Sequence, residues 1–202
     1  YQVKLPNTYE AYKKIIKDTN KKHFYEIHRT SIKLLNLEKK THVFFEVDNL
    51  TKKTSEFKEI IQNKINLLKS KKIKHNLSPE FINIYENLIK LKNDNYFLIN
   101  LYIDKKIISS CFGIVYKNIF YYFIPMLISK DYNNFKPGKI LILKIIEWSI
   151  SQKISIFDFG LGNEKYKKDF SNYAISLHRY INYRSLKGYF LYLFLKIFFY
   201  KN

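Results

Sequence analysis

The 202-residue chain is 47% hydrophobic and 18% aromatic, and it carries a formal net charge of +19. That length suffices for one domain with its own core, and that composition excludes a disordered chain. The lone cysteine, Cys111, excludes an internal disulfide framework and any cysteine-rich metal cluster.

Thr8 is placed to cap a short helix running to about Ile16, and a strongly basic helix follows over Lys21–Leu37. Thr41–Val47 alternates and is β-branched, which predicts a strand. Lys53–Ser70 carries Phe57, Ile60, Ile61, Ile65 and Leu68 at helical spacing. Ser78-Pro79, a hydroxyl cap before a first-turn proline, opens a helix to about Leu91. Three apolar segments then follow, Tyr96–Tyr102, Ile107–Tyr116 and Ile119–Ile128. They are broken only at Asp104-Lys105 and Lys117-Asn118, and so predict an antiparallel meander. After the polar loop Ser129–Phe135, Pro137 opens an amphipathic helix to about Gln152. Ile154–Phe159 reads as a short buried strand, Glu164–Phe170 as a short helix, Ala174–Tyr183 as a last strand and Ser185–Tyr200 as an apolar helix. The order predicts an α/β (α+β) domain whose mixed, mostly antiparallel sheet is flanked by helices. It spans residues 1–184, with 185–202 as an appended helix.

Two segments have the make-up of a site. In Phe135–Ile140, Pro137 fixes the start of a helix, Gly138 lets an anion approach the backbone, and Lys136 and Lys139 add charge. A helix N-terminus offers unpaired N–H groups and the positive end of a dipole, so the segment suits a phosphate. An ordinary proline-opened helix with surface lysines has the same sequence. In Phe157–Lys167 a buried strand ends on Asp158, Gly160 and Gly162 permit a sharp turn, and a short helix presents Tyr166 and Lys167. Ligands bind at the carboxyl ends of such strands; a purely structural turn, with Asp158 as a cap and Tyr166 in the core, is the alternative. The Asp158-Phe159-Gly160 triplet is not a protein-kinase signature, since no glycine-rich loop or His-Arg-Asp loop precedes it.

Lys136-Pro137-Gly138 followed one helix and one strand later by Asp158-Phe159-Gly160-Leu161-Gly162-Asn163-Glu164-Lys165-Tyr166-Lys167 resembles the CelD-like acetyltransferases. These are GNAT-superfamily proteins related to the Fem-type aminoacyltransferases. The likeness extends to the Leu5-Pro6 opening, the basic helix and the Tyr121-Tyr122 strand. It implies a GNAT fold and an acyl-CoA-dependent N-acyltransferase, with acetyl-CoA as donor and no metal. Pro125, Met126, Leu127 and Ile128 would then lie beside the pantetheine, and Lys136, Pro137, Gly138, Lys139 and Ile140 on the pyrophosphate. Tyr166 would be the proton donor to the thiolate, Lys167 would stand near the transferred acyl group, and Asp158 would accept a proton or orient the turn. Gly160 and Gly162 would contact the acceptor, an amine on a sugar or other small molecule, a glycan, a lipid or a peptide in cell-envelope or polysaccharide chemistry. His178 and Arg179, on the predicted last strand near the site, are candidate acceptor contacts, with a satisfied structural histidine as the alternative. Two departures stand out. The helix Phe57–Leu68 lacks the family's histidine, and Lys136 replaces the serine of the helix-opening turn.

The five histidines show no metal-ligand spacing. The +19 charge suits tRNA, and an aminoacyl-tRNA donor is the Fem-type alternative. However, only Arg29, Arg179 and Arg184 among the 36 basic residues are arginine, a bias that AT-rich codons produce without any nucleic-acid role. Tyr189–Tyr200 is shorter than the roughly 20 residues of a bilayer span. An apolar helix of this kind predicts a partner domain or the interface of a membrane, and with it a cytoplasmic protein peripheral to the inner face. A non-catalytic, membrane-associated scaffold on the same fold is the further alternative. Met126 as the single methionine predicts that the chain is a fragment preceded by another GNAT-like domain.

Overall fold

The computed structural model describes residues 1–38, 41–70, 83, 84, 87, 90, 91, 93–128, 132–177 and 184–199. Strand β1 (Gln2–Lys4) precedes helices α1 (Tyr9–Thr19) and α2 (Lys21–Glu38). Strand β2 (Val43–Asn49) and helix α3 (Thr54–Ser70) lead to the meander of β3 (Tyr96–Ile103), β4 (Lys106–Tyr116) and β5 (Ile119–Leu127). Helix α4 (Pro137–Ser151) then crosses over to β6 (Ile156–Asp158), followed by α5 (Lys165–Phe170) and α6 (Leu186–Phe199). Most of the helix expected from Ser78-Pro79 lies outside the described residues.

One six-stranded sheet runs in the order β1-β6-β5-β4-β3-β2. All its pairings are antiparallel except β5–β6. The meander gains β2 as a fourth strand. Its two hairpins turn on Asp104-Lys105 and Lys117-Asn118, all four residues at positive φ, the backbone that two-residue primed turns require. Thr8 caps α1 as expected, its hydroxyl accepting from the Ala11 N–H at 3.2 Å.

The last strand expected over Ala174–Tyr183 is corrected in its described part. Residues 174–177 form no strand, and Tyr173 makes only a single bridge to Gln2. The reason is competition for an edge. β6 has two edges, one held in parallel by β5. The other is taken by β1, whose Gln2, Val3 and Lys4 pair with Asp158, Phe157 and Ile156.

Each face of the sheet buries its own core. On one, α1, α2 and α4 cover Ile99, Leu101, Phe120, Tyr122 and Phe157, and α4 is so enclosed that nine of its fifteen residues are buried. On the other, α3 lays Phe57, Ile60, Ile61 and Ile65 on Leu98, Phe112, Ile124 and Met126. The β4–β5 register slips between Phe112 and Gly113, pairing Phe112 with Ile124 and Gly113 with Tyr122 and leaving Phe123 as the extra residue of a bulge. A Cβ on Gly113 would meet the Phe120 ring at 2.2 Å. Gly113→Ala is therefore expected to destabilise the domain by about 1–3 kcal/mol through overpacking, read from chemical denaturation. An unchanged midpoint would mean that the Phe120 ring moves aside freely.

α6 is apolar but open to solvent, with Leu186, Phe190 and Phe194 exposed. Among the described residues no helix is long and apolar enough to cross a membrane.

Candidate active site

The parallel pairing of β5 with β6 is short. Ile119, Phe120 and Tyr121 face Ile156, Phe157 and Asp158, and β6 stops there while β5 continues to Leu127. From Tyr122 onward no strand among the described residues pairs with this edge of β5. Ile128 N–H donates to the Ile108 carbonyl at 3.0 Å, so by antiparallel alternation the backbone groups of Pro125 and Leu127 point away from β4, into this gap. A proline is tolerated here because its nitrogen owes no hydrogen bond to the ladder.

A cavity of about 290 Å³ fills the gap on the α4 side. Its walls are Pro125, Met126 and Leu127 of β5, Gly138, Lys139 and Ile142 of α4, Tyr166 of α5, and Ser109 and Tyr122 beneath. The two segments singled out in the sequence thus meet in one site. Ile128 and Ile140 do not line it, and Ile140 is buried in the core facing α1 and α2.

The start of α4 borders this cavity through Gly138 and Lys139. Lys136 caps it in the left-handed conformation (φ 50°, ψ 56°), Pro137 occupies the first turn, and no side chain caps it. A Cβ on Gly138 would meet nothing within 4 Å, so its backbone is open to a ligand.

Tyr166 stands across the cavity, its ring edge-on to Phe159 at 6.1 Å. Burial, with the Glu164 and Cys111 charges adding to it, pushes its phenol up to about 12. Tyr122, buried below, is pushed well above its ordinary value by the same desolvation.

The turn between β6 and α5 needs its glycines, since Gly160 and Gly162 sit at φ 70° and 115°. Asp158 is occupied in holding it. One carboxylate oxygen accepts from the Gly160 N–H at 2.6 Å and the other from the Gln2 side-chain amide at 2.7 Å. Lys167 is buried, and its ammonium donates to the Leu161 carbonyl and pairs with Glu164 at 2.9 Å. It lines neither cavity and fixes the turn from within.

A second cavity, of about 520 Å³, is lined by Tyr121, Asp158, Gly160, Gly162, Asn163 and the 174–177 segment. Tyr121 and Tyr122 are consecutive on β5 and point to opposite faces, so the two cavities lie on the two faces of the strand. His178 and Arg179 lie outside the described residues. Among the described residues no group of three or more His, Cys, Asp or Glu is placed to hold a metal ion.

Two charged residues at the site were not singled out in the sequence. Lys64 on α3 reaches the gap from the opposite face, where its ammonium donates to the Pro125 carbonyl and burial lowers its pKa. Its signal was present, since 57, 60, 61, 64, 65 and 68 form one helical stripe and a lysine interrupts it. Glu26 on α2 pairs with both Lys136 and Lys139.

The site is thus set in a mixed sheet whose one parallel pair opens beside a helix N-terminus. The chain belongs to the acetyltransferase (GNAT) domain family, whose sequence model matches residues 21–168. It is accordingly an N-acetyltransferase domain, transferring an acyl group to an amine with acetyl-CoA as the donor of its family. No curated protein matches the chain in sequence. Solved structures similar to it include an aminoglycoside acetyltransferase from an uncultured soil metagenomic sample in complex with trehalose. That structure shares 16% identity at a TM-score of 0.47, covering 71% of this chain and 96% of that one. The sisomicin complex gives 17% identity, a TM-score of 0.46 and the same coverage.

Proposed function

We propose that the chain transfers the acetyl group of acetyl-CoA to a primary amine on a sugar, lipid or peptide of cell-envelope or polysaccharide chemistry, as a CelD-like member of its family. The observation that carries this reading is the cavity that Pro125, Met126 and Leu127 of β5, Gly138 of α4 and Tyr166 of α5 line together. The bound donor supplies a thioester carbonyl for the amine to attack and a thiolate to leave.

The chain's own groups divide the work. Lys136, Pro137, Gly138 and Lys139 meet the diphosphate through an uncapped helix end and two ammonium groups. Pro125, Met126 and Leu127 wall the narrow arm of the donor. Tyr166, with its proton retained far above neutral pH, delivers that proton to the departing sulfur, and the proton that the amine gives up on forming the amide returns the phenolate to the phenol. Asp158 and Lys167 act through the turn: both of the carboxylate's oxygens and the buried ammonium are engaged in it, so each is a positioning residue. The acceptor enters from the cavity of Tyr121, Gly160 and Gly162, and His178 and Arg179 are proposed as further acceptor contacts. Residues 1–184 carry this chemistry at the cytoplasmic face of the membrane. The exposed apolar helix α6 and the +19 charge suit attachment to an anionic lipid surface.

The same charge suits a tRNA-borne donor, the Fem-type reading. A thiol-release assay with acetyl-CoA and a panel of amino sugars, amine-headgroup lipids and peptides separates the two. Acceptor-dependent release supports this proposal. No release with any acceptor, together with aminoacyl transfer from charged tRNA, replaces it with the alternative.

A further inference from the structure

The two lysines at the start of α4, of which Lys139 lines the cavity beside β5, already hold an anion of the chain's own. Lys136 and Lys139 both reach Oε1 of Glu26, Lys139 at 3.0 Å, across the junction of α2 with the start of α4. Glu26 is the only acid of α2 before Glu38, among Lys21, Lys22, Arg29 and Lys33. Its other oxygen lies 3.9 Å from Nδ1 of His23, a buried ring whose nitrogens have no hydrogen-bond partner among the described groups. Burial, with Lys139 adding to it, lowers the pKa of His23, which leaves the ring neutral and the lysines as the cations on Glu26. The Lys136 hydrogen bond holds the Glu26 carboxyl down at about 2, so it is ionised at any working pH.

A carboxylate and a phosphate offer a lysine the same thing, an anionic oxygen that accepts a charge-assisted hydrogen bond. We propose that Glu26 is an internal competitor for the donor's diphosphate, occupying Lys136 and Lys139 when no donor is bound and thereby setting donor affinity. This rests on the donor-site reading above. Two ammonium groups and one carboxylate leave the mouth with a single net positive charge. Donor binding transfers the lysines from Glu26 to the phosphates, so part of the attraction is spent in breaking the internal pair. The pair is partly exposed, which limits the effect and makes it sensitive to salt.

The test is calorimetric titration with CoA of the full chain and of Glu26→Gln, Gly138→Asp and Lys136→Met/Lys139→Met variants, the last with and without Glu26→Gln. Glu26→Gln is expected to tighten CoA binding about three- to tenfold at low ionic strength, with the gain shrinking at high salt. In the double-lysine background the same change is expected to give a clearly smaller gain, that of relieved through-space repulsion alone. Unchanged or weaker binding by Glu26→Gln, while Gly138→Asp abolishes binding, overturns the competitor role and leaves the donor site standing; Glu26 then pre-positions the lysines. Unchanged affinity in Gly138→Asp removes the donor site and this inference with it.

Discussion

Replacing Gly138 with aspartate is expected to weaken acetyl-CoA binding by at least about 100-fold, with the fold unchanged. The substitution has room, because a Cβ at this position meets no atom within 4 Å. A carboxylate in the first turn of α4 also complements the helix dipole, so the helix itself gains. What changes is the charge facing the ligand. A carboxylate about 4 Å from a phosphate costs about 4 kcal/mol at the effective dielectric of a protein surface, more than the roughly 2.7 kcal/mol that 100-fold requires. Equilibrium dialysis with acetyl-CoA, beside a thermal melt, reads both halves of the expectation. Wild-type affinity in the variant would remove the diphosphate from the start of α4.

Tyr166→Phe is expected to lower kcat by roughly 10²–10³-fold with little change in KM, the loss associated with removing a general acid. The variant keeps the ring that packs edge-on to Phe159 and deletes only the hydroxyl of a residue that lines the cavity beside β5. The pH dependence has a definite sign. The useful form of Tyr166 is the protonated phenol, present below its pKa of about 12 and lost only as pH rises through that value. Wild-type activity should therefore show no alkaline loss from this group up to about pH 10. A change confined to KM would make Tyr166 a binding contact and leave the thiolate's proton to another donor.

The sequence carried the local half of this structure. Lys117-Asn118 and Asp104-Lys105 are polar doublets between apolar runs, and both adopt positive φ without glycine. Pro137 and Thr8 likewise marked helix starts that follow from their own chemistry. What escaped the reading is set by distant pairing. β1 is three residues long and polar on both sides of Val3, so nothing in it signals a strand; it exists because β6 offers an edge more than 150 residues later, which in turn leaves 174–177 without one. The gap beside β5 arises from unequal lengths of two strands that only the fold places together.

The site divides in the same way. The backbone-defined parts, Gly138 at an open helix end and Gly160 and Gly162 at positive φ, follow from residue type. Side-chain roles did not. Lys167 reads as a catalytic lysine beside Tyr166 but turns inward onto the Leu161 carbonyl, because successive residues of a short helix face different ways. Glu26 reaches Lys136 and Lys139 only because α2 packs against the start of α4, a contact that no spacing along the chain reveals.

Calorimetric titration of the full chain with acetyl-CoA tests most directly the proposed donor site between β5 and the start of α4. One saturable site per chain, with an affinity that falls as salt is added, is the expected result. No heat of binding up to millimolar acetyl-CoA, from protein shown to be folded by its melting transition, would contradict it.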